Sequence, residues 1–378
     1  MKVPILKIPF DQADADIVAR ELSAILLEGR LAMGAKVAEF EGLFRDFVGS
    51  RHALGTCNGT AALEVIFRAL WETGDGRPGS VAVPANTFLA SCFAPIAAGF
   101  KVILVDCDPV YFQMCPKDLA KKIQPDTRAV LLVHVGGFVS PAWSEIKSIA
   151  DNKGAVLVED AAHAHGAEAD GQKAGTLGLA GAFSFYPTKV LTTAEGGMAV
   201  TSDDGLYKKM LAIRQHGQDR PGSNVHESFG LNYRPSEIHA LLGLRMMAKA
   251  DWILGQRRQA ATIYDNLMKG SLARPVIPPA SHKPSYYKYM ALLPENVSRE
   301  AIKKRLKDEF EVSLAGEVYS TPGNLQPIWE RRPDYLALPA ESLPNSERCA
   351  KRQICLPIYP GLSREAQEHV VRSLNSVI

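Results

Sequence analysis

Lys189 stands in the stretch GAFSFYPTKVLTTAEGG (Gly181–Gly197), after an apolar, aromatic run and before a Thr-Thr-Ala-Glu-Gly-Gly turn. An ammonium in that setting is partly desolvated, which lowers its pKa and makes the free amine accessible. Such an amine can form a Schiff base with a carbonyl compound. Most lysines are solvated surface cations, so the reading rests on this one's neighbours. Asp160 lies 29 residues upstream, at the end of the apolar run AVLVED (Ala155–Asp160), and Ser184 precedes the lysine by five. An aldehyde cofactor with a ring nitrogen and a phosphate needs groups of these kinds.

A carboxylate at a strand end either caps the next helix or does chemistry. Beside a pyridine nitrogen, ionised Asp160 would keep that nitrogen protonated, and the protonated ring would act as an electron sink. Glu159 should face the other side of the sheet, because strand side chains alternate. His163 follows Asp160 by three residues, which on a helical turn places both on one face; it is either a donor to the cofactor's phenolate oxygen or a satisfied buried histidine. Asn58-Gly59-Thr60 sits between a strand and a helix, where glycine permits a tight turn and free N–H groups favour an anion; the same residues suit an ordinary turn capped by Thr60. Phe88 either lies flat on an aromatic cofactor or packs in the core. His134, His165 and Glu195 read as structural.

The elements that must position these groups are legible as alternating patterns. Asp14 to Glu28 reads as a helix stopped by Gly29, and Val37, Phe40, Phe44 and Phe47 mark a second helix with an aromatic core face. Apolar runs then alternate with helix-length segments. The runs are His52–Cys57, Ser80–Pro84, Lys101–Asp106, Ala129–Val133, Ala155–Glu159, Ala182–Phe185 and Gly197–Thr201. The intervening helices are expected from Thr60, from about Asn86, over Leu119–Ile123 and over Trp143–Asp151. This order implies a largely parallel sheet covered on both faces. Ligands of such sheets bind beyond the carboxyl ends of the strands. Asn58, Asn86, Asp106, His134 and Asp160 all fall at those ends, which predicts one shared pocket. Tyr207–Gln215 reads as a helix, His216–Gly230 as a functional polar loop, and Pro235 to about Leu267 as one long helix. Pro-rich connections follow, then a strand Tyr289–Leu293 and helices Arg299–Phe310 and Ser363–Ser376. The division falls near residue 250: residues 1–250 form an N-terminal segment and large cofactor-binding domain, and 251–378 a smaller C-terminal α+β domain.

At 378 residues there is chain enough for two domains. A net charge of +2 with scattered basic residues gives no field for nucleic acid or an anionic membrane. Cys57, Cys92, Cys107, Cys115, Cys349 and Cys355 form no Cys-x-x-Cys pair, and no histidine cluster has metal-ligand spacing, so free thiols and no metal are expected. Met1–Phe10 lacks the pattern of a signal peptide, and no apolar stretch approaches the roughly 20 residues of a membrane span. The expected location is the cytoplasm.

Five motifs in order carry a family resemblance: NGTAAL (Asn58–Leu63), PANTFLAS (Pro84–Ser91), VEDAAHAHGA (Val158–Ala167), SFYPTKVLTTAEGG (Ser184–Gly197) and GLNYRPSE (Gly230–Glu237). Together they resemble the DegT/DnrJ/EryC1/StrS aminotransferases, pyridoxal-phosphate-dependent enzymes of the fold-type I group. The likeness runs from about Phe40 to Ala240 and returns more weakly at CLPIYPGLSREAQ (Cys355–Gln367). It implies an α/β fold with pyridoxal 5'-phosphate as cofactor. Lys189 matches the Schiff-base lysine, Asp160 the partner of the ring nitrogen, and His163 a Gln/His position near the phenolate oxygen. Ser184, Gly59 and Thr60 match the phosphate cradle, Phe88 the ring-stacking position, and Asn232 an asparagine that reaches the phosphate from the second subunit of a homodimer. Ala194 departs from a usual glycine. Lys189 argues against relatives that dehydrate sugars and carry histidine there. The resemblance implies transfer of an amino group from L-glutamate to a nucleotide-linked keto-deoxyhexose, with Arg220 on the polar loop toward the diphosphate. Amination of a free keto sugar or inosose, aminohydroxybenzoate-type chemistry, and a non-catalytic regulatory role stand as alternatives.

Overall fold

The computed structural model describes residues 1–73, 79–220 and 222–378. The seven apolar runs form one sheet: β1 (His52–Thr56), β2 (Ser80–Pro84), β3 (Lys101–Val105), β4 (Thr127–Val133), β5 (Val156–Asp160), β6 (Ala180–Ser184) and β7 (Gly197–Thr201), in the order β1-β7-β6-β5-β4-β2-β3. β2 pairs parallel with β3 and β4, β4 with β5, and β5 with β6. β7 runs antiparallel to both of its neighbours. That reversal sets the position of Lys189. A parallel partner would need a crossover back to the far end of the sheet, whereas an antiparallel partner can begin where the preceding strand stops. Ser184 pairs with Gly197, so the loop over 185–196 leaves from and returns to the carboxyl edge.

Alternation splits the sheet's side chains between two cores. Val81, Val83, Leu131 and Val133 pack with the helix Gly59–Thr73 on one face. Ala82, Ile103, Val130 and Leu132 pack with the helices Pro116–Lys122 and Trp143–Asn152 on the other. Burial of each such Val, Leu or Ile contributes about 1.5–3 kcal/mol, which is why the runs are nearly continuously apolar. A further core joins β8 (Arg274–Pro275), β9 (Tyr289–Leu292) and β10 (Gln353–Leu356), an antiparallel sheet, to the helices Ala250–Leu267, Arg299–Phe310 and Arg364–Val377.

The N-terminal helix spans Gln12–Glu28, with a reciprocal Asp11/Asp14 capping box and Gly29 left-handed at its end. The aromatic stripe lies on the helix Ala35–Val48, where Phe40 and Phe44 pack edge-on against Phe185 with centroids 5.2 Å away in each case. The stripe therefore clamps the base of the Lys189 loop.

Two expectations are corrected, and two elements are new. The helix expected from Asn86 begins at Ala90. Ala85 extends the ladder to the Val105 carbonyl and accepts from Gly323, while the Asn86 amide donates to the Phe112 carbonyl at 3.0 Å, so the segment stays non-helical. The single long helix is two, Glu237–Met247 and Ala250–Leu267. Between them Lys249 leaves helical geometry, and its ammonium pairs with Asp11 and Asp14 of the first helix. The strand β10 and the helix Pro344–Arg352 before it were not foreseen. In the polar loop over 216–230 the described residues form no helix or strand, and Pro221 lies outside the described residues.

Candidate active site

A cavity of about 600 Å³ opens at the carboxyl edge of the sheet, lined by Asn58, Gly59, Thr60, Phe88, Asp160, His163, Ser184 and Lys189 among others. The residues singled out for cofactor chemistry thus meet in one place, Asn232 excepted.

Lys189 is held by its loop. The Phe185 carbonyl accepts from Thr193 N–H and from Thr192 Oγ1, and Lys189 N–H donates to the Tyr186 carbonyl at 2.9 Å. Its ammonium lies 4.8 Å from the centre of the Tyr287 ring. Burial pushes the Lys189 pKa below the usual lysine value, and the nearby Lys288 adds to the fall, against the opposing pull of Tyr287 and Asp160. A nucleophilic amine requires that direction of shift.

Asp160 is buried at the end of β5, where its carboxylate accepts from Ser91 Oγ at 2.7 Å and from Ala162 N–H at 3.1 Å. Glu159 faces the opposite way, as strand alternation requires, and accepts from Gly175, Leu177 and Gly178 N–H groups and from His134 at 2.8 Å. Glu159 and His134 are therefore structural, and adjacent carboxylates have separate tasks. His163 is buried, stacks on Tyr287 with centroids 4.1 Å apart, and has Tyr319 Oη 3.4 Å from Nε2. Burial, with the charges of Lys189 and Lys288, pushes its pKa well down, so the imidazole is neutral at pH 7. His165 sits instead among Phe44, Phe183 and Phe185, with its pKa lowered to about 3.

The helix Gly59–Thr73 is capped by Asn58, not Thr60: Asn58 Oδ1 accepts from Ala61 N–H at 2.9 Å. The N–H groups of Gly59 and Thr60 carry no partner among the described residues. A Cβ on Gly59 would lie 2.7 Å from Ser184 Cβ, so glycine is what lets the helix start and the β6 hydroxyl share one corner. That corner suits a phosphate: two free amides, a positive helix end and a hydroxyl. His163 Nδ1 is buried without a partner, and Phe88, 64% exposed, presents an uncovered ring to the cavity. These features fit a planar pyridine aldehyde phosphate.

The strand-end expectations part from the structure: Asn86, Asp106 and His134 end strands but serve the scaffold, and Asp106 accepts from Ser346 N–H at 2.8 Å, across to the C-terminal part of the chain. Asn232, expected to serve the site of a second copy, lies outside this chain's own cavity, with its backbone bridged to Gln215. Arg220 lines a separate cavity with Glu72, Lys208 and Lys209. Conversely, Tyr287, Lys288 and Tyr319 line the cavity and were missed. Only the clustered aromatics of Tyr286–Tyr289 marked that stretch, and they read equally well as strand.

The profile of the DegT/DnrJ/EryC1/StrS aminotransferase family matches residues 12–375. The chain is 30% identical over 377 residues to a pleiotropic regulatory protein of Geobacillus stearothermophilus, covering 99% of this chain and 98% of that one. It is 31% identical over 375 residues to the dTDP-3-amino-3,4,6-trideoxy-alpha-D-glucose transaminase of Micromonospora megalomicea subsp. nigra, covering 98% and 96%. Among solved structures it superimposes on DesV of S. venezuelae in complex with a ketimine intermediate, with a TM-score of 0.87, 29% identity, and coverage of 99% and 98%.

Proposed function

This chain belongs to the DegT/DnrJ/EryC1/StrS aminotransferase family, pyridoxal-phosphate-dependent enzymes of fold type I, and from that premise we propose that it transfers nitrogen from L-glutamate to a nucleotide-linked 4-keto-6-deoxyhexose. The observation that carries the reading is the meeting of a desolvated lysine amine, a strand-end carboxylate and an open helix start in one cavity. The near full-length likeness to a dTDP-sugar transaminase supports the acceptor class.

Pyridoxal 5'-phosphate, when bound, supplies an electron sink for the carbon that exchanges nitrogen. The rest falls to the chain. With it bound, Lys189 Nζ would be the amine that holds the cofactor's carbonyl carbon, and, when released by the donor amine, would serve as the free base for the proton at the donor carbon. Asp160, oriented by Ser91, would keep a proton on the ring nitrogen, neutral His163 would serve the ring oxygen, Gly59, Thr60 and Ser184 would hold the phosphate, and Phe88 would cover a ring face.

Asn232 and the polar loop over 216–230 are assigned to the site of a second copy in a two-fold dimer. Their position outside this chain's own cavity supports that reading. No helix among the described residues is long and apolar enough to cross a membrane. With six free cysteines, we assign the enzyme to the cytoplasm.

A panel of nucleotide-linked 4-keto and 3-keto sugars, an inosose and a free keto sugar, with glutamate as donor, tests the acceptor. The quantity compared is kcat/KM for 2-oxoglutarate formed. Preference for the inosose or the free sugar overturns the nucleotide-sugar reading; preference for the 3-keto sugar corrects the position alone.

A further inference from the structure

We propose that Lys288 recognises the α-carboxylate of the amino donor and thereby orients the donor's amine toward the position of Lys189 Nζ. The inference rests on the reading of Lys189 as the amine that the donor displaces.

Lys189 and Lys288 are the cations among the described residues lining the cavity. The carboxylates there are mostly engaged. Glu64 accepts from Arg68 Nε and from Tyr233 Oη, each at 2.8 Å, Asp160 from Ser91, and Glu317 pairs with Lys303 and, at 3.7 Å, with Arg299. Among the described residues, no carboxylate comes within ion-pair distance of Lys288. Its ammonium rests 5.0 Å from the centre of the Tyr287 ring, whose centre is also 4.8 Å from the Lys189 ammonium. The backbone fixes that placement. Lys288 N–H donates to the Gly136 carbonyl at 3.0 Å, and Gly136 is left-handed with φ 76, a conformation that favours glycine. A half-buried lysine with no ion-pair partner is thus presented on the same ring as the reactive amine.

The donor's chemistry matches this arrangement. Its α-carboxylate carbon is two bonds from the nitrogen, about 2.5 Å by standard bond lengths and angles. Wherever the donor nitrogen reaches the atom that Lys189 releases, a full negative charge arrives with it. A glycosyl phosphate is joined at the anomeric carbon, on the far side of the sugar ring from a 4-keto group, and lies further out. One cavity must then accept a carboxylate in one half-reaction and an uncharged sugar ring in the next. A lysine on a flexible stem suits that alternation better than a bidentate arginine. It can bind the carboxylate, then withdraw to the face of Tyr287, where cation–π attraction offers a resting place.

The test is pre-steady-state kinetics of the first half-reaction in the cofactor-loaded enzyme, wild type against Lys288→Met and Lys288→Arg. Melting temperature and cofactor content are measured on each. The donors are a panel of α-amino acids including glutamate, with 4-aminobutyrate as a carboxylate-bearing amine that lacks the α-carboxylate. Loss of one charge-assisted contact raises the half-saturating concentration of the α-amino acid about 10- to 100-fold. The rise falls on that concentration more than on the limiting rate, and Lys288→Arg recovers part of it. The response to 4-aminobutyrate and the half-saturating concentration of the keto acceptor do not move. Equal weakening toward 4-aminobutyrate, or a shift confined to the acceptor, overturns the assignment, the latter in favour of a sugar phosphate. A wild-type enzyme that takes nitrogen from no amino acid on the panel overturns the functional reading itself.

Discussion

The ammonium of Lys189 lies 4.8 Å from the centre of the Tyr287 ring, and the same ring stacks on His163 with centroids 4.1 Å apart. A residue of the C-terminal part of the chain therefore bridges two groups that the sequence assigns to cofactor chemistry. Hydroxyl contact with Thr188 at 3.1 Å ties Tyr287 to the Lys189 loop as well.

Lys189→Ala is expected to remove both turnover and the covalent hold on the cofactor. Borohydride reduction of the loaded enzyme followed by peptide mass mapping should find the cofactor on Lys189 in the wild type and on no lysine in the variant. The pH dependence has a definite sign. Attack requires the free base, and burial lowers the Lys189 pKa from 10.5. The rate of cofactor capture by the apoenzyme should rise with pH and level off below pH 10.5. A rate still climbing beyond that value would show a lysine in ordinary solvent.

Asp160→Asn keeps the shape of a side chain that accepts from Ser91 and Ala162 while removing its charge. The half-reaction with glutamate should slow by about 10²- to 10⁴-fold, the range for losing a group engaged in proton chemistry. Melting temperature should move little by comparison. An unchanged half-reaction rate would remove Asp160 from the ring nitrogen.

Much of this site was readable because its chemistry sits on short, ordered motifs. Strand alternation separated Asp160 from Glu159, and the motif into Ser184 and Lys189 marked the reactive loop, whereas the antiparallel return of the strand Gly197–Thr201 that carries that loop back to the carboxyl edge was not foreseen. A strand end, however, does not say where a side chain points, so Asn86, Asp106 and His134 were assigned to the pocket and in fact stitch the scaffold. Tyr287 and Tyr319 reach the cavity through contacts distant in sequence, which no local period reports. The break at Lys249 was hidden because both helices keep an apolar pattern across it, and the ion pairs that hold it lie at the other end of the chain.

Ala194 stands left-handed at φ 67 in the turn after Lys189, a conformation costing an L-residue roughly 1–2 kcal/mol. Glycine relieves that strain but loses roughly 0.5–1 kcal/mol to the freedom of its unfolded chain. Ala194→Gly should therefore stabilise by up to about 1.5 kcal/mol, read from denaturant midpoints at an unchanged m-value. Destabilisation would mean that the Ala194 methyl group makes compensating contacts.

The last expectation concerns Asn232, whose backbone bridges Gln215 away from the cavity of its own chain. If it completes the phosphate site of a second copy, Lys189→Ala and Asn232→Ala damage different halves of one site. In a two-fold dimer each chain offers the other the same surface. A mixed dimer of the two variants then contains one site with both defects and one with neither. Co-refolding equal amounts should yield about half of the dimers mixed, each with one intact site, hence about a quarter of wild-type turnover by this symmetry count. Lys189→Ala homodimers contribute nothing, and any residual activity of Asn232→Ala homodimers is measured separately and subtracted. Subunit exchange is verified by native mass spectrometry. Exchange without recovered activity would mean that Asn232 serves its own chain, and that the polar loop before it has another task.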